Sequence, residues 1–526
     1  MAFTFQINTD VEFTHDENLL KKAEENKPVI QTRKVFPVCI AELIKDETQL
    51  NGITAKQSKK NLSQLPSYGW KRDDRLILDF GDHMVGKFEI DIDQTGSPMD
   101  APLYLRIKFA EVPSELEAES RDYNGWLSRS WIQEEFVHFD QLPAKLSLPR
   151  RYSFRYVELK IIDTSPKWQA VFSNPTVTTE TSADSSSFKP LCLKDEKLQK
   201  IYNVGIKTLA DCMQDVFEDG PKRDRRLWLG DLRLQALADY ASFDNTALVK
   251  RCLYLFAGMT TKEGKISANV FVQPKNIPDD TFLFEYSLFF ISVLYDLHQA
   301  HPDENLVREL YPIAKKQIDL SLQMFDKDDK LIPDEDYPVF VDWSNEFNKD
   351  TAGQAEMIYV LKQFIFLAET IGEPDINFYH EKLTLISRYA REHLYRPERK
   401  LFVTGNEEFN IASQVWMVLS GVMSPEENRE IMQTTIREMF PITGIATPYM
   451  YHHIVEALFQ AGLKDDAVTL MKNYWGKMIG LGADTFWEAF DPNQPDYSPY
   501  GSPIVNSYCH AWSCTPVYLI KKYLTE

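Results

Sequence analysis

The sequence predicts an N-terminal antiparallel β-sandwich followed by an all-α (α/α)6 barrel, and three observations point there. From about residue 30 to 182 apolar and polar residues alternate with the period of strands. Beyond that stretch, apolar residues recur at helical spacings as far as the C-terminus. The second half also holds roughly eleven or twelve helical segments, enough for two concentric rings, without the repeat of about 34–47 residues that marks a helical solenoid.

In the first half, Leu103, Leu105, Ile107 and Phe109 alternate with Tyr104, Arg106 and Lys108, and Phe88, Ile90 and Ile92 do the same. Short runs at 76–80, 135–139, 152–162 and 168–179, separated by Gly, Pro, Asp and Ser, complete the strand pattern. The polar run 181–187 reads as an exit linker, so the expected domains are 1–187 and 188–526. After it, Leu198, Ile201, Ile206, Leu209, Met213 and Val216 open a helical pattern. Helices are expected near 193–217, 231–257, 279–299, 304–325, 351–371, 376–394, 410–422, 426–439, 447–461, 464–479 and 506–523. Long loops at 218–230, 266–280, 333–350 and 482–505 collect polar and aromatic residues, which on a rigid scaffold points to ligand binding.

Composition excludes several function classes. With 58 Lys and Arg against 78 Asp and Glu, the net charge of −20 repels phosphate backbones and anionic membranes, so no nucleic-acid or membrane partner is expected. No basic, apolar leader opens the chain and no run approaches the ~20 apolar residues of a membrane span, which predicts a cytoplasmic protein. The six cysteines stand singly and read as reduced core thiols. His452 and His453 are adjacent rather than one helical turn apart, and the absence of an HExxH pattern argues against a metal. No GxGxxG, Walker or GxSxG pattern is present, so no cofactor is expected. Association into homo-oligomers is left open.

The most informative stretch is 219–231, DGPKRDRRLWLGD, which packs Asp219, Asp224 and Asp231, four cations and Trp228 between two helical patterns. A carboxylic acid crowded by other carboxylates can keep its proton near neutral pH while flanking cations hold its neighbours ionised, the electrostatics a glycosidase acid requires. The competing reading is a charged, solvated helix junction. A second candidate is Glu488, beside Trp487 and Phe490, whose apolar flanks raise a carboxyl pKa. Read alone it is a structural acid; paired with Asp224 across one cleft it becomes a base.

The same stretch resembles the acid-bearing signature of the α-L-rhamnosidases of glycoside hydrolase family 78, Asp-Cys-Pro-Gln-Arg-Glu-x-x-Gly-Trp-x-Gly-Asp, with Pro221, Arg223, Trp228, Gly230 and Asp231 in matching positions. The resemblance implies that Asp224 is the general acid, with Asp in place of the more usual Glu, and that Asp219, Arg223, Trp228 and Asp231 line the sugar pocket. ADTFWEAFD resembles the family's Thr-x-Trp-Glu motif, whose Glu is the general base, and so implies Glu488. The segment 506–512, NSYCHAW, is similar to Ser-x-Asn-His and implies that His510 faces the sugar, while Asp342-Trp343 resembles the family's Asp-Trp pair. Trp228, Trp343 and Trp487 would then shield the 6-methyl face of rhamnose. LDFGDHMVGKFEI and SFRYVEL resemble strands of the family's sandwich, so the likeness runs from about residue 76 to the end. The chain stops soon after the barrel, without the C-terminal β-domain often seen in the family, and Arg225 and Arg226 crowd the acid, both departures from the pattern.

What this implies is an inverting, exo-acting α-L-rhamnosidase of the six-hairpin glycosidase type. Its substrate would be a small rhamnosylated glycoside, such as a flavonoid or terpenyl rhamnoside. Two alternatives stand beside it: an unsaturated glucuronyl hydrolase, with Lys222, Arg223, Arg225 and Arg226 meeting an anionic sugar, and a non-catalytic carbohydrate-binding protein.

Overall fold

In the computed structural model, residues 10–186 and 188–525 are described; Ser187, the last residue of the expected linker, lies outside them. A helix α1 (Glu17–Glu25) precedes nine strands, β1 (Gln31–Val35), β2 (Cys39–Lys45), β3 (Ile53–Gln57), β4 (Arg75–Gly96), β5 (Leu103–Ala110), β6 (Glu134–Phe139), β7 (Ala144–Ser147), β8 (Tyr152–Asp163) and β9 (Trp168–Thr181). All pairings among them are antiparallel. The 22-residue β4 organises the sheet by belonging to two leaves. Its first half pairs with β2 and β8, its second half with β7 and β9. The register shifts between Asp79 and Met84, where Gly81 takes a left-handed φ of 83° that a side chain would strain. The leaves close over Phe80, Phe88, Phe109, Phe154 and Trp168. This is the expected sandwich.

The helices that follow are α2 (Glu196–Cys212), α3 (Leu229–Tyr240), α4 (Thr246–Ala257), α5 (Phe284–Ala300), α6 (Glu304–Leu322), α7 (Asp350–Ile371), α8 (Asn377–Tyr389), α9 (Ile411–Ser420), α10 (Pro425–Met439), α11 (Pro448–Gln460), α12 (Lys464–Gly480) and α13 (Pro516–Leu524). The odd-numbered helices from α3 pack in succession, α3 on α5, α5 on α7, α7 on α9 and α9 on α11, and α13 closes the ring against α11 and α3. The even-numbered ones pack outside them, each against its inner neighbour. Sequence reflects the layering: every residue of α9 is buried, whereas α10 and α6 keep one apolar stripe. Among the described residues no helix is long and apolar enough to cross a membrane.

Two expected helices differ, and one helix was not expected. The helix expected over 231–257 is two, because the Asp239 carboxylate accepts the N–H of Asn245 (2.8 Å) and Asp244 turns left-handed (φ 57°), ending α3 before α4 begins. The one expected over 506–523 starts only at Pro516, since the apolar residues before it form a loop whose backbone is bound elsewhere. The helix α1 was not foreseen; it rests on α4, where Arg251 donates to the Ala23 carbonyl (2.6 Å).

The sandwich meets the barrel through buried charge. Arg151 donates to Glu218 (2.6 Å), and Arg155 binds Asp79 through two nitrogens (2.8 and 2.9 Å) and Asp484 through a third (2.7 Å). Glu111 accepts the N–H of Tyr508 (2.7 Å). Between them His83 lies 2.6 Å from Asp211 and 3.2 Å from Glu111. Burial alone would lower the pKa of His83, yet Cys509, Asp211 and Glu111 hold it well above the ordinary histidine value.

A raised folded-state pKa means that protonated His83 contributes its full stability below about pH 6.5, the unfolded value, and loses it as pH rises through the folded value. The thermal midpoint of wild type should therefore exceed that of His83→Gln most near pH 6, by an amount set by the ~3–5 kcal/mol of a broken buried pair, and the gap should narrow on the alkaline side. Thermal melts of both proteins across pH check this; a gap that widens with pH refutes it.

Candidate active site

The stretch 213–228 forms a folded loop rather than a solvated junction. Asp219 shapes it: one carboxylate oxygen accepts the N–H of Asp224 and the other that of Arg226, both at 3.0 Å. Gly220 lets the loop close, since a Cβ there would lie 2.4 Å from the Arg223 carbonyl and 2.6 Å from Ser507 Oγ. Lys222 is buried and points away from the cavity, donating to Glu115 of the sandwich and to the carbonyls of Ile504 (3.2 Å) and Asn506 (2.8 Å). At the loop's exit Gly230 admits the Tyr286 ring, whose nearest atom would meet a Cβ at 2.4 Å.

Of the ten residues singled out from sequence, Asp219, Arg223, Asp224, Trp228, Asp231, Trp343, Glu488 and His510 line one pocket at the loop end of the barrel. Asp342 and Trp487 do not. The Asp342 carboxylate accepts from Ser344 N (2.9 Å), Ala446 N (3.0 Å) and Thr447 Oγ1, holding its own turn against the start of α11. Trp487 packs edge-on against Phe490 and Tyr508 in the barrel core. Residue type and loop position do not separate them from their neighbours; direction does.

The centre of the pocket is a buried ion pair. Arg223 donates one nitrogen to Glu488, another to Asp224 Oδ1 (3.3 Å) and its Nε to the Val505 carbonyl (3.0 Å), with its guanidinium 4.2 Å over the Tyr500 ring. The hydroxyl of Tyr500 donates to the other Glu488 oxygen. Burial raises the Glu488 pKa above the usual range, against the lowering pull of Arg223 and Tyr500. Burial and then Asp224 push Asp219 up to about 8. Asp231 is driven well above the carboxylate range by burial, Asp219 and Glu488, and His510 well below the imidazole range by burial and Arg223. Burial thus favours the protonated form of Asp231 and the neutral form of His510; their Oδ1 and Nδ1 lie 3.5 Å apart, each without a hydrogen-bond partner among the described residues. Buried polar atoms left unpaired in this way are expected to meet a ligand.

Arg223 is the single cation lining the pocket among the described residues. Arg225 turns to the Arg151 carbonyl (3.1 Å), its pKa pushed down to about 10 by burial and Arg151, and Arg226 lies over Phe271 (4.1 Å). Three of the four cations considered for an anionic sugar, Lys222, Arg225 and Arg226, are therefore directed elsewhere. His83, Asp211 and Cys509 cluster with metal-ligand character, but outside the pocket, and the Lys207 ammonium already sits 2.7 Å from Asp211. Sequence reasoning missed Trp126, Leu127, Thr281, Leu283, Tyr286 and three further aromatics, Phe340, Tyr500 and Trp512. Phe340 and Tyr500 stand in two of the long loops, which was a usable signal; Trp126 and Leu127 come from the sandwich, where nothing marked them.

A family model described as the bacterial alpha-L-rhamnosidase 6 hairpin glycosidase domain matches residues 188–524, and the glycosyl hydrolase family 78 alpha-rhamnosidase N-terminal domain matches 37–179. The chain belongs to glycoside hydrolase family 78. It is thus a glycoside hydrolase of the α-L-rhamnosidase family, with its sandwich and six-hairpin barrel. A rhamnosidase from Klebsiella oxytoca with rhamnose bound is 43% identical over 98% of this chain and 100% of that one, with a TM-score of 0.95. Two larger rhamnosidases share the fold: the family 78 rhamnosidase of Bacillus sp. GL1 (19% identity, TM-score 0.71) and the alpha-L-rhamnosidase of Streptomyces avermitilis complexed with L-rhamnose (16%, TM-score 0.66). They match 85% and 94% of this chain, which spans 46% and 44% of theirs. No curated protein matches the chain.

Because the Tyr500 hydroxyl lowers the Glu488 pKa, Tyr500→Phe should move the rhamnosidase's Glu488 titration to higher pH. Carboxylate infrared bands followed across pH, with Glu488→Gln to assign them, read the shift; an unchanged or lower midpoint contradicts it.

Proposed function

We propose that the enzyme is an inverting, exo-acting α-L-rhamnosidase that releases terminal rhamnose from small neutral glycosides, with Asp224 as general acid and Glu488 as general base. The observation that carries this reading is one pocket holding, among the described residues, four carboxyl groups, a single cation, and two buried polar atoms without hydrogen-bond partners, Asp231 Oδ1 and His510 Nδ1. Sugar hydroxyls supply the missing partners: protonated Asp231 can donate to one oxygen and accept from another. The rhamnose in the Klebsiella oxytoca protein supports the choice of sugar. Trp228 and Trp343 offer apolar faces to its 6-methyl group, while Asp219 acts by holding the turn that presents Asp224. We assign catalysis to 188–526 and the bracing of its loops to 1–187.

In the proposed reaction Asp224 protonates the glycosidic oxygen as the bond to the anomeric carbon breaks. Glu488, kept oriented by Arg223 and Tyr500, takes a proton from a water that attacks the opposite face. The proton given up by Asp224 leaves on the aglycone hydroxyl, and the one taken by Glu488 returns the pair to its starting charge through solvent.

Asp224→Asn should lower turnover by about 10²–10⁴-fold on alkyl rhamnosides and by clearly less on nitrophenyl rhamnosides, whose leaving groups hardly need protonation. Steady-state kinetics on both substrates decide it. Near-complete activity in the variant transfers the acid role to Asp231, whose carboxyl burial pushes toward the protonated form.

The first-formed product should be β-L-rhamnose, because one acid and one separate base make a single displacement. Proton NMR of early product shows the anomer directly. Glu488→Ala should be almost inactive in water, and azide, where it restores turnover, should give the glycosyl azide of inverted configuration. A retained anomer or a rhamnosyl ester trapped on Glu488 would overturn the assignment.

A further inference from the structure

We propose that the broad groove bordering the pocket, lined by Phe282, Pro338, Val339 and Phe347, is the subsite for the leaving group, and that it takes a neutral leaving group more than one ring long. The inference rests on the hydrolase reading above and adds where the rest of the substrate lies and what charge it carries. The groove encloses about 980 Å³ and meets the pocket at Thr281 and Phe340. Small-molecule sites span about 300–1,000 Å³, so this volume holds several rings beyond the one sugar assigned to the pocket.

Burial shows which way a leaving group runs. Of the residues lining the pocket, Asp224, Trp228, Thr281 and Trp343 are half-buried and Trp126 is exposed, while the others, Glu488 and Asp231 included, are buried. The proposed acid therefore stands at the mouth and the proposed base inside. Because the acid delivers its proton to the glycosidic oxygen, the leaving group lies on the mouth side, where Thr281 belongs to the pocket and to the groove at once. The walls there are held by backbone bonds. Thr14 N donates to the Thr260 carbonyl (2.8 Å) and Lys262 N to the Glu12 carbonyl (2.9 Å). Glu285 accepts the N–H groups of Phe340 (2.9 Å) and Val341 (2.8 Å). Phe282 stacks on Phe13, with ring centroids 6.5 Å apart.

Charge selects the occupant. Among the described residues the groove is lined by six carboxyl groups and three lysines. Each lysine is engaged: Lys262 pairs with Glu12, Lys349 Nζ donates to the Asp342 carbonyl (2.7 Å), and Lys265 Nζ stands 4.1 Å over the Tyr337 ring. A carboxylate on the leaving group would meet an excess of like charge and would have to compete for every cation. Hydroxyl groups, by contrast, find acceptors on the carboxylates, and flat ring faces find the Phe282 and Phe347 rings. Neutral sugars and polyphenols fit this lining; uronates do not.

The test compares kcat/KM on methyl α-L-rhamnoside, a flavonol rhamnosyl-(1→6)-glucoside, and the matched pair rhamnosyl-(1→4)-glucose and rhamnosyl-(1→4)-glucuronate. Phe347→Ala should lose about 3–10-fold more on the flavonol glycoside than on the methyl glycoside, mainly through KM, and Phe347→Tyr should recover much of it. Wild type should prefer the glucose of the matched pair to the glucuronate. The double variant Glu335→Lys/Asp336→Lys should narrow that preference by about 2–5-fold, an effect that added salt weakens. Equal losses of Phe347→Ala on the methyl and flavonol glycosides, or none, overturn the proposal. So does a preference for the glucuronate in wild type, or one that charge reversal leaves unmoved. A gain on the flavonol glycoside when residues 1–9 are removed would assign the groove to that segment of the chain and overturn it too. Absence of turnover in wild type on every substrate would sink the hydrolase reading instead. The groove is then read by binding: the flavonol glycoside should be held more tightly than methyl α-L-rhamnoside by wild type but not by Phe347→Ala, and equal affinities in wild type overturn the proposal.

Discussion

Almost everything in the pocket is arranged around the guanidinium of Arg223. It is buried, it touches both carboxylates to which the proposed reaction assigns protons, and it is anchored from behind by the Val505 carbonyl and from one face by Tyr500. A lone cation among four carboxyl groups cannot neutralise them all, so burial decides which stay charged. Glu488, with Arg223 and Tyr500 both bonded to it, has the strongest support for its carboxylate form. Burial pushes Asp231, which has no cation against it among the described residues, toward its protonated form. Two acidic groups of different character thus arise from one ion pair and its limited reach.

Such an arrangement needs rigid loops, and here the sandwich has its role. Arg151 holds the 213–228 loop through Glu218, Arg155 holds the 481–502 segment through Asp484, and Glu111 holds the segment bearing His510 through the Tyr508 N–H. The three loops that supply Asp224, Glu488 and His510 are each tied to the same neighbouring domain. Placing them independently would leave the distances of the proposed acid and base to loop fluctuation, to which general acid–base chemistry is intolerant. This also gives a physical meaning to the strand stretches that resemble the family, DFGDHMVG and SFRYVEL: they contain Asp79, His83 and Arg155, which face the barrel rather than the sandwich core.

Period, composition and charge density were enough to determine the two domains, the barrel and the carboxylate-rich loop. A strand buried on one face must alternate, and a helix packed on its neighbours must repeat its apolar residues at helical spacing, so these features are written locally along the chain. Asp224 and Glu488 were marked as a pair only through the resemblance of their two segments to the family's motifs, since read alone Glu488 is a structural acid. Tertiary structure decided what depends on direction. Asp342 and Asp231 are both buried acids, yet one spends its oxygens on a turn and the other leaves Oδ1 bare in the pocket. Trp487 and Trp126 are reversed in the same way, the first beside the candidate base but facing the core, the second 362 residues from it in sequence and lining the pocket. Side-chain direction and long-range approach follow from packing between distant segments, which no local pattern encodes.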